Sequence, residues 1–262
     1  MPQDNDSFLA ADFPEVLRKI RERTPARILT GRSGAAYRTS TQLDLREAHA
    51  AARDAVRAEL DLESLFGAAF IKEWDLFEVC TEARSKGEYL LQPDLGRRFN
   101  EMSRQALAKR CPRETDIQIA IGDGLSVTAV AAQAPSLLPL LCEGAQTRSW
   151  TIGNPFVIRH CRVGILNEIG QLLAPKVVIL LIGERPGLAT AESLSAYMAY
   201  QAGKTHTDAN RNLISNIHSR GLSPRFARDR ILALAAEMLA QKISGFSLRE
   251  QWPDNPRRLI PP

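Results

Sequence analysis

The sequence has few of the features that announce a metal centre, a disulfide framework or a membrane anchor. Its four cysteines, Cys80, Cys111, Cys142 and Cys161, lie far apart and never adopt the paired C-x-x-C spacing of zinc or redox sites. Reduced, partly buried thiols are the expectation. The four histidines, His49, His160, His206 and His218, show no H-x-x-x-H or H-E-x-x-H pairing, so a catalytic metal has no obvious ligand set. No apolar run reaches the roughly 18 residues of a membrane helix. The stretch from Met1 to Ala11 is acidic and polar, where a secretory signal is basic and then apolar. An intracellular protein with no membrane partner is predicted.

Cofactor and phosphate motifs are incomplete in the same way. Gly122-x-Gly124 follows an apolar stretch, but Val127 stands where a dinucleotide fingerprint needs its third glycine. Gly203-Lys204-Thr205 resembles the end of a P-loop, yet Met198 occupies the position of the first glycine. Around His206 the residues Lys204 to Ala209 do not fit the Asp-x-His-x-x-Gly pattern by which some cobalamin proteins supply a histidine to cobalt. No serine lies in a Gly-x-Ser-x-Gly elbow. A strong excess of one charge is also missing: 34 Lys and Arg residues are interleaved with 30 Asp and Glu residues, for a net charge of +4. The densest basic stretch, Arg18-Lys19 through Arg27, has Glu15 and Glu22 among it and reads as a solvated helix face, with no nucleic-acid partner implied.

What is present is ordinary globular composition, 44% hydrophobic and 24% charged over 262 residues. A chain of this length can bury roughly three quarters of its unfolded surface. Its dominant feature is the unbroken apolar run Val177 to Ile182, ended by Gly183-Glu184-Arg185-Pro186-Gly187. Such a run reads as a strand buried on both faces, which implies a parallel sheet. Ligands collect just outside the carboxyl ends of such strands, so Glu184 becomes a rim acceptor at a ligand edge; a solvated turn is the plainer reading. The two glycines let the chain turn sharply and admit a ligand close to the backbone.

Elsewhere, residues 1–12 read as disordered, and Phe13, Val16, Leu17 and Ile20 predict an amphipathic helix that starts at Pro14 and ends before Pro25. Strands are predicted over 26–30, 76–80, 116–121 and 155–162. A helix over 40–60 has Thr39 or Ser40 as its cap, and 65–70 fits helix or strand. Residues 89–98 read as a loop leading to a helix that Asp94 caps and that runs to Lys109. The turn Gly122 to Ser126 opens an alanine-rich helix interrupted by Pro135 and Pro139, and a short helix ends at Leu173. A helix is expected from Ala191, a polar loop over 207–223, and a final helix over 224–242 with Phe226, Ile231, Leu234 and Leu239 in the core. Residues 251–262 form a proline-rich flexible tail. The resulting fold class is α/β, one domain over 13–250, with an N-terminal helix and a mainly parallel, Rossmann-like sheet covered by helices on both faces.

Several stretches in chain order carry a family likeness: Gly31-Arg32-Ser33-Gly34, Arg38-Thr39, Tyr89 with Pro93-Asp94-Leu95-Gly96-Arg97-Arg98, and Asp123-Gly124-Leu125-Ser126. It continues through Arg159 with Arg162-Val163, Lys176 to Gly187, Glu192-Ser193-Leu194-Ser195, and Ile214-Ser215-Asn216-Ile217-His218. With these loops the chain resembles the small (light) subunit of ethanolamine ammonia-lyase, an adenosylcobalamin-dependent enzyme that converts ethanolamine to acetaldehyde and ammonia. The resemblance implies a cobalamin-binding-like fold and a hetero-oligomer with several copies of each subunit. A large TIM-barrel subunit would bind the amino alcohol and house the radical chemistry, while this chain covers the cobalamin at the interface. It implies no catalytic acid or base on this chain and no activity alone.

The family's cobalamin contacts fall at Val163, Glu184 and Leu213, with Arg162, Ser193, Ser215 and Asn216 beside them. A corrin ring is fringed with amides, so a carboxylate can accept from an amide N–H with charge assistance, while Val163 and Leu213 offer backbone groups and apolar contact. Some relatives have cysteine where Leu213 stands. The failed Asp-x-His-x-x-Gly match agrees with a family in which the cofactor keeps its own dimethylbenzimidazole on cobalt. A longer N-terminal extension tied to bacterial microcompartments is missing, so both the cytoplasm and a microcompartment stay open. A free-standing nucleotide-binding α/β enzyme built on the Gly122 to Ser126 turn is the alternative.

Overall fold

A computed structural model of the protein describes residues 14–22, 24, 26–28 and 30–250. Helix α1 (Pro14–Glu22) begins at the expected proline, which tolerates the first turn because its missing N–H would be unpaired there. The described residues within 26–30 form no strand; the strands lie just beyond, in a small antiparallel hairpin of β1 (Arg32–Ser33) and β2 (Ala36–Tyr37). Helix α2 (Thr39–Arg57) starts at Thr39 itself, so its cap is Arg38, which makes no side-chain cap bond. The apolar stretch 65–70 lies in helix α3 (Leu62–Glu73), where Asp61 accepts from the amides of Glu63 and Ser64.

Six strands form the main sheet: β3 (Phe77–Cys80), β4 (Ile117–Gly122), β5 (Phe156–Arg159), β6 (Val177–Gly183), β7 (Leu194–Tyr200) and β8 (Asn212–Ile217). Their order is β3-β5-β4-β6-β7-β8; the first four pair in parallel, and β7 pairs antiparallel with both β6 and β8. The sheet is therefore mixed, and its order differs from that of the dinucleotide-binding fold. The remaining helices are α4 (Lys86–Leu91), α5 (Glu101–Arg110), α6 (Val127–Gln146), α7 (Ile165–Leu173) and α8 (Pro224–Gln241).

Alternation along the strands builds two cores. From β6, Ile179 and Leu181 join Ile119 and Ile121 under α6 and α8, while Val178, Leu180 and Ile182 join Phe156 and Ile158 under α5 and α7. Every residue of β6 is buried, as its composition predicts, and each of its Val, Ile and Leu side chains contributes roughly 1.5–3 kcal/mol of transfer free energy. The crossovers that step toward β8 carry α5 and α7 on one face, and the crossover that steps back carries α6 on the other, as a single handedness demands. Helix α6 runs unbroken through Pro135 and Pro139, because its apolar face, including Ala134, Leu137, Leu138 and Leu141, is buried throughout. In α8, Ile231 and Leu234 are buried as expected, whereas Phe226 and Leu239 are only partly covered.

Three expectations fail here for identifiable reasons. The segment after Ala191 is strand β7: its small residues permit a helix, but pairing with β6 puts Ala196 and Met198 in one core and Ser195 and Tyr197 on the opposite face. The polar stretch 207–223 contains β8, an edge strand that needs an apolar residue only where Ile214 and Ile217 meet the core. Tyr89 lies within α4, Asp94 sits in a 3-10 turn (Pro93–Arg97), and Asn100 caps α5 by accepting from Ser103 N at 2.8 Å. Residues 1–12 and 251–262, expected to be disordered, lie outside the described residues.

One buried carboxylate ties the carboxyl ends of the parallel strands together. Asp123, fully buried in the turn after β4, accepts from the amides of His160 (2.9 Å) and Cys161 (2.7 Å) just past β5, and from Lys86 Nζ at 3.4 Å. Burial pushes its pKa up, against the pull of Lys86 and the two amides. His160 needs the support, since its backbone is left-handed (φ 59°). Gly124 (φ 56°) completes the turn, where a Cβ would fall 2.2 Å from Gly183 O. This glycine therefore serves the approach of two strand ends to each other rather than the approach of a ligand.

Asp123→Asn puts an amide N–H against one of the bonded donors and removes the partner of Lys86. Equilibrium denaturation should show a loss of about 3 kcal/mol, and an unchanged midpoint would refute the lock. A second expectation concerns His218, buried at the end of β8, whose Nδ1 accepts from Arg220 N and whose Nε2 bonds Asn216 Oδ1. Burial lowers its pKa below 6.5, so its contribution to stability is present above pH 6.5 and is lost as pH falls through the folded value. His218→Gln should flatten stability against pH in the window just below 6.5, as measured by denaturant midpoints at stepped pH.

Candidate functional site at the carboxyl end of the sheet

Past the ends of β5 and β6 the chain opens a cleft of about 410 Å³. Its walls come from segments more than a hundred residues apart, and Val163, Glu184 and Leu213 all line it, together with Arg162 and Ser215. Ser193 and Asn216 do not line it. Ser193 is buried with its hydroxyl unpaired, while its carbonyl accepts from Glu184 N at 3.0 Å.

Glu184 leaves the end of β6 and braces the antiparallel extension. Its Oε1 accepts from Ser195 Oγ at 2.6 Å and from Asn216 N at 2.9 Å, which joins β6, β7 and β8 at one carboxylate oxygen. The second contact depends on a bulge: β8 has an extra residue opposite β7, and Asn216 sits in the left-handed region (φ 62°), turning its amide toward Glu184. Among the described residues Oε2 has no hydrogen-bond partner. Glu184 is thus a fixed acceptor with one free oxygen, on a residue that lines the cleft.

Val163 ends a loop that is held from behind. Tyr89, itself fully buried, donates its hydroxyl to Cys161 O at 2.8 Å, stacks on His160, and carries the Arg162 guanidinium 4.3 Å over its ring. Val163 O accepts from Leu166 N, while among the described residues the Val163 N–H has no acceptor. Leu213 pairs with Tyr197 across β8 and β7 and is 46% exposed on the cleft face. Leucine can supply only apolar contact and backbone groups where a cysteine would add a thiol.

Burial, then Asp123, raises the Cys161 thiol well above its usual range, and burial, then Glu184, raises the Tyr197 phenol, so both stay protonated near neutral pH. All four cysteines are free thiols, three of them buried. Among the described residues no three His, Cys, Asp or Glu side chains are grouped to hold a metal ion, and no helix is long and apolar enough to cross a membrane. Two amides of the Gly122 to Ser126 turn are spent internally, Asp123 N on Ile158 O and Leu125 N on Gly183 O.

Sequence reasoning missed Tyr197, because β7 was expected to be a helix, and gave no role to Asp123, Lys86 or Tyr89. A signal for Asp123 existed in its position between two glycines directly after a buried strand.

Comparison with known proteins agrees with the likeness of the loops. A family model described as ethanolamine ammonia-lyase light chain (EutC) matches residues 14–249. The chain is 39% identical over 235 residues to the ethanolamine ammonia-lyase small subunit of Clostridium acetobutylicum, covering 90% of this chain and 95% of that protein. It is 37% identical over 248 residues to the subunit of the same name from Clostridium perfringens, covering 95% and 79%, and 38% identical over 231 residues to that of Fusobacterium nucleatum, covering 88% and 76%. With nearly its whole length matched in order, the chain belongs to the ethanolamine ammonia-lyase light-chain family.

Proposed function

We propose that this chain is the small subunit of an adenosylcobalamin-dependent ethanolamine ammonia-lyase and works with a large subunit to convert ethanolamine to acetaldehyde and ammonia. In this reading residues 13–250 act as one cobalamin-interface unit of cobalamin-binding-like character, within a hetero-oligomer of several copies of each subunit. The compartment is the cytoplasm, with a bacterial microcompartment as the alternative setting. The observation that carries the reading is the meeting of Val163, Glu184 and Leu213, from three separate segments, in one cleft.

The groups in that cleft fit the amide fringe of a corrin. Glu184 Oε2 can accept from an amide N–H, the Val163 N–H can donate to an amide carbonyl, and Leu213 offers apolar surface beside them. The cofactor, when bound, supplies cobalt–carbon homolysis; this chain's residues bind, orient and shield it from water. Because Oε1 is already held by Ser195 and Asn216, Glu184 meets a ligand without first losing rotamer freedom. No general acid or base is assigned to this chain. The nucleotide-enzyme alternative is not favoured, since the light-chain family model matches residues 14–249.

The purified chain supplied with adenosylcobalamin should not deaminate ethanolamine, whereas co-expression with the large subunit should yield a co-purifying, cobalamin-dependent activity. Turnover by the chain alone would overturn the division of labour. In the complex, Glu184→Gln keeps the Oε1 brace but replaces the free acceptor with a donor. Cobalamin retention should fall about tenfold while the KM for ethanolamine and the thermal midpoint stay near wild type. Unchanged cofactor affinity would remove Glu184 from the site.

A further inference from the structure

A second and larger cleft, about 1180 Å³, lies beside the first and shares Arg162, Val163 and Tyr197 with it. It lies on the face of β7 that carries Tyr197, between α7 and the 201–211 segment. Its walls are strongly basic. Arg97, Arg104 and Arg211 each meet a carboxylate, Asp94 at 3.0 Å, Glu168 at 2.7 Å and Asp208 respectively, whereas among the described residues Arg98, Arg162 and Lys204 meet none.

Three nitrogens in this wall are buried without a hydrogen-bond partner: Arg162 Nε, Arg211 Nε and His206 Nδ1. Arg211 is the most telling. Its side chain is only 6% exposed, and its two terminal nitrogens are used by Asp208 and by Asn167 Oδ1 at 3.0 Å. An idle guanidinium donor in so enclosed a position costs stability unless a ligand completes it. Arginine forks are the side chains best matched to phosphate oxygens, and three unmatched cations favour an anion.

We propose that this basic cleft holds the phosphodiester of the cofactor whose corrin amides meet Glu184, so that the two adjoining clefts bind the two chemically distinct parts of one molecule. The inference rests on the cobalamin reading of the first cleft. Cobalamin has a single anionic group on its periphery, the phosphodiester that links a corrin side chain to the nucleotide. Arg162, common to both clefts and held over Tyr89, sits at the junction between corrin and tail.

The test uses the complex of this chain with its large subunit and three ligands, followed by absorbance titration: adenosylcobalamin, adenosylcobinamide, which has the corrin amides but no phosphate, and adenosylcobinamide phosphate. The wild-type complex should bind both phosphate-bearing ligands about tenfold or more tighter than adenosylcobinamide. The exposed pair Arg98→Gln with Lys204→Gln, which disturbs no described side-chain bond, should erase most of that preference and leave adenosylcobinamide affinity unchanged. Equal affinity of the wild type for all three, or an equal loss for all three in the variant, would overturn the proposal while leaving the first cleft's reading intact. A variant that loses only its large subunit would also overturn it, by assigning the basic wall to a protein partner. A wild-type complex that binds none of the three ligands would instead refute the function itself.

Discussion

The contact on which the rest depends is the one between the Asp123 carboxylate and the amides of His160 and Cys161. A parallel sheet leaves its strand ends as separate loops, and a site made from them is only as precise as the bonds between loops. Here the turn after β4 grips the loop after β5, while Gly124 and Gly183 approach closely enough to bring in the end of β6. The carboxylate, two amides and a lysine form a nearly dry cluster whose removal leaves an uncompensated charge, so the geometry is held by a cost as much as by an attraction.

The antiparallel pair β7 and β8 gives that rigid edge a surface. Had the sheet ended at β6, Glu184 would have been a solvated residue on a turn. Two further strands, with one face packed under α8 and the other carrying Ser195, Tyr197, Leu213 and Ser215, turn the edge into a wall. Glu184 spends one oxygen on joining those strands to β6, and among the described residues the other has no partner. In the proposed reading, structural and binding roles share that one side chain.

How legible each feature was follows from how local its cause is. Strand β6 could be read directly, because a run buried on both faces needs no information beyond its own residues. The helix after the Gly122 turn and the final helix were visible for the same reason. Strand β7 was not, since Ser, Ala, Met and Tyr satisfy a helical period nearly as well as an extended one; its register with β6 decides the matter. Strand β8 looks like a loop because an edge strand carries polar residues by design. Asp94 was the expected cap on paper, and the course of the chain puts Asn100 in that place instead.

By itself, the sequence determined the α/β class, the doubly buried strand that sets the sheet's core, the family through its ordered loops, and the placing of Glu184 at a strand's carboxyl end. These depend on hydrophobic pattern and on residue identity along one dimension. Tertiary structure alone decided that Val163, Glu184 and Leu213 line one cleft, that one Glu184 oxygen is taken and the other free, and that unmatched cations gather beside it. Such facts depend on which segments pair across the sheet, and that pairing is set by the burial of whole faces rather than by any residue's own preference.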